Sequence, residues 1–229
     1  MYCYVKVSNI DGYKNKILNS SISQSGNLYK DKYGNIYLRN GEVEINSINI
    51  SYNDLEGRSL FYISNYNSSS RVSFSTFSNN TDTTPQNSYY SYFYESSETL
   101  FIKSCNYLSN DLHVIVCASD AYVYVVNCNF INNTGRNSYF YHSGSGNITI
   151  DGCYIDKINP EIGGKVYFKN NETNPLIIEY PNLSCEFEIP NSMNKEENEL
   201  VIYLKRKKKN IKNIPFKFSQ SFIVFSGSK

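Results

Sequence analysis

The chain has 229 residues, 40% of them hydrophobic, and a formal net charge of +1, enough to bury one sizeable core or a solenoid with a small appended element. That charge balance gives no electrostatic ground for nucleic-acid binding over the whole chain, and no apolar run of about 18 residues is present to form a membrane-spanning helix. The 22 Tyr and 13 Phe, the lack of Trp and the abundance of Asn and Ser favour strands and turns, since aromatic residues suit pleated surfaces and Asn and Ser suit turns.

In chain order, residues 1–33 are weakly patterned. Tyr4 to Val7 and Ile17 to Ile22 read as worn coils capping the first face of a repeat array, as terminal repeats are atypical. Met1 to Val7, broken by Lys6, does not read as a secretory signal. From Gly34 the pattern sharpens, with Ile36, Leu38, Val43, Ile45, Ile48 and Ile50 alternating with polar residues at the period of a strand.

A unit then recurs over residues 34–159: an apolar anchor followed three positions later by Asn. It appears as Ile50 and Asn53, Phe77 and Asn80, Tyr107 and Asn110, and Phe130 and Asn133, with Ile155 as the anchor of a degraded fifth copy. Successive anchors lie 27, 30, 23 and 25 residues apart, within the range of one solenoid coil. Two residues before the anchor stands a small residue, Ser75, Cys105, Cys128 or Cys153, with Ile48 in that place in the first copy. A parallel β-solenoid accounts for all three features, because its coils stack about 4.8 Å apart and bring equivalent residues into line. The anchors would form one internal apolar stack and the small residues a second where the coil turns sharply. The repeat Asn suits the turn through its tolerance of the left-handed backbone region, and can bond its neighbours along the stack. The handedness rule for parallel crossovers makes the coil right-handed.

These units, Phe-x-x-Asn with Cys or Ser two residues earlier, resemble the right-handed parallel β-helix repeats of polymorphic membrane protein (Pmp)-like surface proteins. The resemblance spans roughly Gly34 to Ile158 and implies a surface-displayed, non-enzymatic adhesion or display role toward an unknown protein or glycan ligand. It implies an extracellular or cell-surface address; without it, the simplest address is cytoplasmic. A monomer without cofactor or metal is expected.

Tyr89, Tyr90, Tyr92, Phe93 and Tyr94 crowd the stretch after the Thr81 to Ser91 loop and form the candidate binding surface, because exposed rings stack on sugars or partner side chains. At period two, half of them are expected to face the core instead. Eight Asn-x-Ser/Thr sequons, at Asn19, Asn49, Asn67, Asn79, Asn132, Asn147, Asn171 and Asn182, would be glycosylated in a secreted form, although so Asn-rich and Ser-rich a chain generates sequons by chance. Cys105, Cys128 and Cys153 share one row, so packing as small hydrophobes is expected over pairing. His113 and His142 are the two histidines, and no Cys-x-x-Cys is present, which leaves no metal-ligand pattern.

Residues 160–229 read as a β-rich extension or cap, entered through Pro160 and Gly163-Gly164. Its basic run, Lys205 to Lys209, suits a solvated turn or a gatekeeper beside Leu200 to Leu204. The rival function is a polysaccharide lyase or glycoside hydrolase, drawing on Asp111, Asp120, Asp151 and Asp156 with Arg136 and His142. That reading requires carboxylates from successive coils to converge in one groove, and corner-forming Asp explains the same residues. A third alternative is a truncated structural member of the family without binding activity.

Overall fold

The computed structural model describes residues 5–8, 14–23, 36–55, 59–82, 89–157 and 162–178, and of these the side chains of 5–8 and of Tyr89 and Tyr90 are not described. The described part is all-β, a parallel solenoid of about five turns, with no helix among those residues. Among the described residues every strand pairing is parallel, in a 10-stranded and a 6-stranded sheet. No helix of the described residues is long and apolar enough to cross a membrane.

Each coil has three legs, set by where the backbone enters the left-handed region. The first leg comprises 36–39, 61–64, 91–94, 116–119 and 140–143, in register along the stack. In the first four of these coils it ends at Asn40, Asn65, Glu95 and Asp120, all at positive φ. The second leg, 14–18, 42–46, 71–73, 99–103, 122–126, 147–151 and 166–169, ends at Asn19, Ser47, Phe74, Ser104, Asn127, Gly152 and Asn170, again all at positive φ. The third leg, 21–23, 49–51, 76–78, 106–108, 129–131 and 154–155, ends at Tyr52, Asn79, Ser109 and Asn132. Asn holds seven of these corners because the left-handed region costs it less than most other residues. Tyr52, Phe74 and Glu95 show that position along the coil overrides that preference.

Long strands such as Asp111–Val126 and Thr134–Asp151 bend across the corner between the first two legs, with a register shift between Ser119 and Ala121. A bulge of this kind turns a strand without ending its pairing. At the second-leg corner, Ser47, Phe74, Ser104 and Asn127 donate their N–H groups to Ser73, Lys103, Val126 and Asp151 of the next coil. The coil-to-coil ladder thus runs through the corners as well as the legs.

Beside the inward aliphatic rows of the first two legs, three internal rows belong to the repeat unit. The anchors Ile22, Ile50, Phe77, Tyr107, Phe130 and Ile155 are in register on the third leg. Phe77 and Tyr107 lie 4.8 Å apart between ring centres, as do Tyr107 and Phe130, the latter pair stacked at 6°. Each such ring contributes about 1.5–3 kcal/mol by leaving water. Beside this stack runs the small row of Ser75, Cys105, Cys128 and Cys153, all fully buried. The cysteines are free thiols: Cys105 and Cys128 donate their backbone N–H to the sulfur of Cys128 and Cys153 at 3.3 Å, and Ile48 donates likewise to Ser75 Oγ.

The third row corrects the expected role of the repeat Asn. Asn53, Asn80, Asn110 and Asn133 do not occupy the left-handed corner, which belongs to the residue before each of them. They point inward and are buried as an amide ladder: Asn53 Nδ2 donates to Asn80 Oδ1 at 2.8 Å, Asn80 to Asn110 at 3.0 Å and Asn110 to Asn133 at 2.9 Å. The same acceptors receive the backbone N–H of the preceding Asn. The second Nδ2 hydrogens reach the carbonyls of Ile50, Phe77 and Tyr107. The small row likewise sits one residue after the sharp turn rather than on it.

Parallel pairing continues past residue 159 through Ile162–Gly163 and Val166–Lys169, both on the strand Thr134–Asp151. The basic run at 205–209 and Asn182 lie outside the described residues, as do Cys3 and Cys185.

Candidate functional site

With the apolar anchors turned inward, the chemistry available to a ligand lies on the outward rows of the legs. On the first leg the inward positions are Ile63 and Phe93, buried in the core, and Phe93 is 1% exposed. Phe93 therefore leaves the candidate aromatic surface and packs edge-on against Tyr66. The alternate positions Tyr37, Tyr62 and Tyr92 stand in register on the other side of the strands, with centres 5.2 Å apart at each step, although Tyr37 is covered and only 5% exposed. Tyr94 stacks on Tyr92 at 6.0 Å and 14°. Tyr92 and Tyr94 are half-buried by these neighbours, and burial raises the pKa of the Tyr92 hydroxyl. The row continues to Cys117, which is buried, and Tyr141. Tyr89 and Tyr90 lie on the strand Tyr89–Lys103, but their side chains are outside the described set.

A second aromatic face was not singled out by sequence. On the second leg, Leu100, Ile102, Val123, Val125, Ile148 and Ile150 face the core, which turns Phe101, Tyr122, Tyr124 and Tyr167 outward. Phe101, Tyr124, Thr149 and Tyr167 are in one register row. Phe101 is 42% exposed, Tyr122 37% and Tyr167 52%, and Phe101 and Tyr124 lie 5.7 Å apart. Strict alternation over 99–103 and 122–126 was the available signal. It separates the two faces of a strand but does not say which leg the strand belongs to.

Toward the N-terminus the same row becomes ionic. Glu44 bonds Lys16 at 2.9 Å and also Arg71, while Glu42 takes Lys14 at 3.2 Å. The hydrogen bond from Lys16 and the guanidinium of Arg71 hold the Glu44 carboxyl below its ordinary value. A shallow groove beside this row is lined by Arg71, Phe101, Lys103 and the Ser68 to Ser70 turn.

The carboxylates weighed for catalysis stand apart, each with its own structural partner. Asp111 takes both ends of the Arg136 guanidinium, at 2.9 and 2.8 Å. Asp120, at a corner, accepts the N–H and hydroxyl of Ser145, which lower its pKa. Asp151 binds the Tyr124 hydroxyl and the Asn170 amide, and Asp156 takes the N–H of Asn132. His142 is buried and reaches the carbonyl of Ser145 at 3.0 Å. Among the described residues, no group of His, Cys, Asp and Glu could hold a metal ion.

No protein-family model matches the chain, and no curated protein matches it. The likeness to Pmp-like repeats therefore rests on the repeat residues themselves.

Proposed function

We propose that the chain is a non-catalytic interaction module, secreted or displayed at a surface, that engages a protein or glycan ligand through rings on the outside of its solenoid. The observation that carries this reading is the outward ladder of Tyr62, Tyr92 and Tyr94, half-buried rings whose centres are 5.2 to 6.1 Å apart. Rings held in register by the backbone lose little further freedom on binding, and Tyr presents an apolar face with a polar tip. The repeat resemblance to Pmp-like surface proteins supports the same role. The separate structural tasks of Asp111, Asp120, Asp151 and Asp156 weigh against glycoside hydrolysis, which in most families uses two carboxyl groups flanking one bond.

The test is a glycan-array and cell-surface binding assay of the recombinant chain beside a Tyr92→Ala/Tyr94→Ala variant and a variant of the second aromatic face. Saturable binding lost in either face variant supports the module and assigns its face. A folded chain that binds neither surface contradicts it.

A further inference from the structure

We infer that the second-leg face is a binding strip for an acidic polysaccharide running along the solenoid axis. This rests on the reading of the chain as an interaction module and adds the face and the ligand class.

Three observations carry it. The rings are in line: Phe101, Tyr124 and Tyr167 fall in one register row crossing four successive strands, so a linear ligand laid along the axis there meets a ring on three of the four. A hydrogen-bonding group lies beside the rings: Asn147, half-buried, is in register with Tyr122 and is held by the buried Thr149, whose Oγ1 donates to Asn147 Oδ1 at 3.3 Å. A sugar ring offers apolar C–H faces and a rim of hydroxyls, and this mixture matches both. A protein partner would call for a contiguous apolar centre.

The third observation is charge. In the next outward row, two residues along, Lys103 and Lys169 are exposed, with Asp151 beside Lys169 and Val126 between Lys103 and Asp151. In the ring row itself, Lys16 and Arg71 share Glu44. Each of these two rows thus carries two cations and one carboxylate. Asp151 is further engaged by Tyr124 and Asn170. The surplus positive charge on an otherwise balanced chain, +1 overall, selects an anionic sugar over a neutral one and makes binding sensitive to salt.

The experiment is affinity electrophoresis and titration calorimetry of the bacterially expressed chain, in which Asn147 is unglycosylated, with polygalacturonate and with neutral dextran. Wild type is expected to bind polygalacturonate, at least tenfold more weakly in high salt, and not dextran. Phe101→Ala/Tyr167→Ala is expected to lower affinity at least tenfold, and Lys103→Gln/Lys169→Gln severalfold with a shallower salt dependence. Tyr52→Ala, 61% exposed at the third-leg corner and on neither aromatic face, should bind as wild type. If the ring variant melts early, the lysine variant decides, since both lysines are exposed. Equal binding of dextran, loss confined to the Tyr92/Tyr94 variant, or no binding of polygalacturonate overturns the inference. Cell-surface binding that persists without polygalacturonate binding overturns it while leaving the module reading intact, and loss of both overturns the two together.

Discussion

Asn80 accepts the backbone and side-chain N–H groups of Asn53 and donates to Asn110 Oδ1 and the Ile50 carbonyl, all within the core. Removing its amide leaves several buried groups unsatisfied at once, and each costs about 1–3 kcal/mol. Asn80→Ala should therefore destabilise by about 3 kcal/mol or more in urea unfolding; a loss below about 1 kcal/mol would mean that water satisfies the ladder. The thiols give a second residue-level expectation. Burial pushes Cys117 and Cys128 far up, and the sulfur contact with Cys128 does the same for Cys153 ahead of burial. Since the thiolate is the reactive form, alkylation at pH 8 followed by peptide mapping should label Cys117, Cys128 and Cys153 only after denaturation. Labelling of the native chain would show that the row opens.

At the scale of the element, the ring stack should show a gradient. Phe130 is held between Tyr107 at 4.8 Å and Phe140 at 5.0 Å, so Phe130→Ala should cost about 4 kcal/mol. Ile155, half-buried at the end of the same row, should cost clearly less on truncation. Equal losses would mean that the coils do not share one stack. The ionic end of the second leg adds a pH dependence. Because Lys16 and Arg71 lower the folded-state pKa of Glu44 from 4.5, its contribution is fully present above that value and is lost as pH falls through the folded-state one. Glu44→Gln should therefore flatten the acid side of the stability curve, with little added loss at pH 3 compared with pH 7.

These elements also show what a sequence carries. The rows of Ile50, Phe77, Tyr107, Phe130 and Ile155 and of Ser75, Cys105, Cys128 and Cys153 are legible because stacking forces equivalent positions to share one chemistry. The job of the repeat Asn was misplaced by one residue, since Asn79 and Asn132 occupy the corner directly before Asn80 and Asn133 and the two roles overlap in composition. The corner formed by Asn40, Asn65, Glu95 and Asp120 was not legible as a row because its residues differ. Without it, 91–94 and 99–103 merge into one strand, and Phe101 cannot be assigned to a different face from Tyr92.

At the scale of the molecule, the coil divides its labour. Inward rows hold the stack through rings, thiols and amides, whereas outward rows carry side chains whose removal leaves the coil-to-coil interfaces in place. Stability in such an array is close to a sum of neighbouring interfaces, so a lesion inside one row weakens the whole while a lesion outside stays local. The measurement that tests this division most directly is a paired comparison of melting temperature and binding at low temperature in wild type, Asn110→Ala and Phe101→Ala/Tyr167→Ala. The account predicts that Asn110→Ala melts several degrees lower yet binds as wild type while folded, and that the face variant melts within about 2 °C of wild type but loses binding. A face variant that binds normally, or a ladder variant that melts normally while binding is lost, would contradict it.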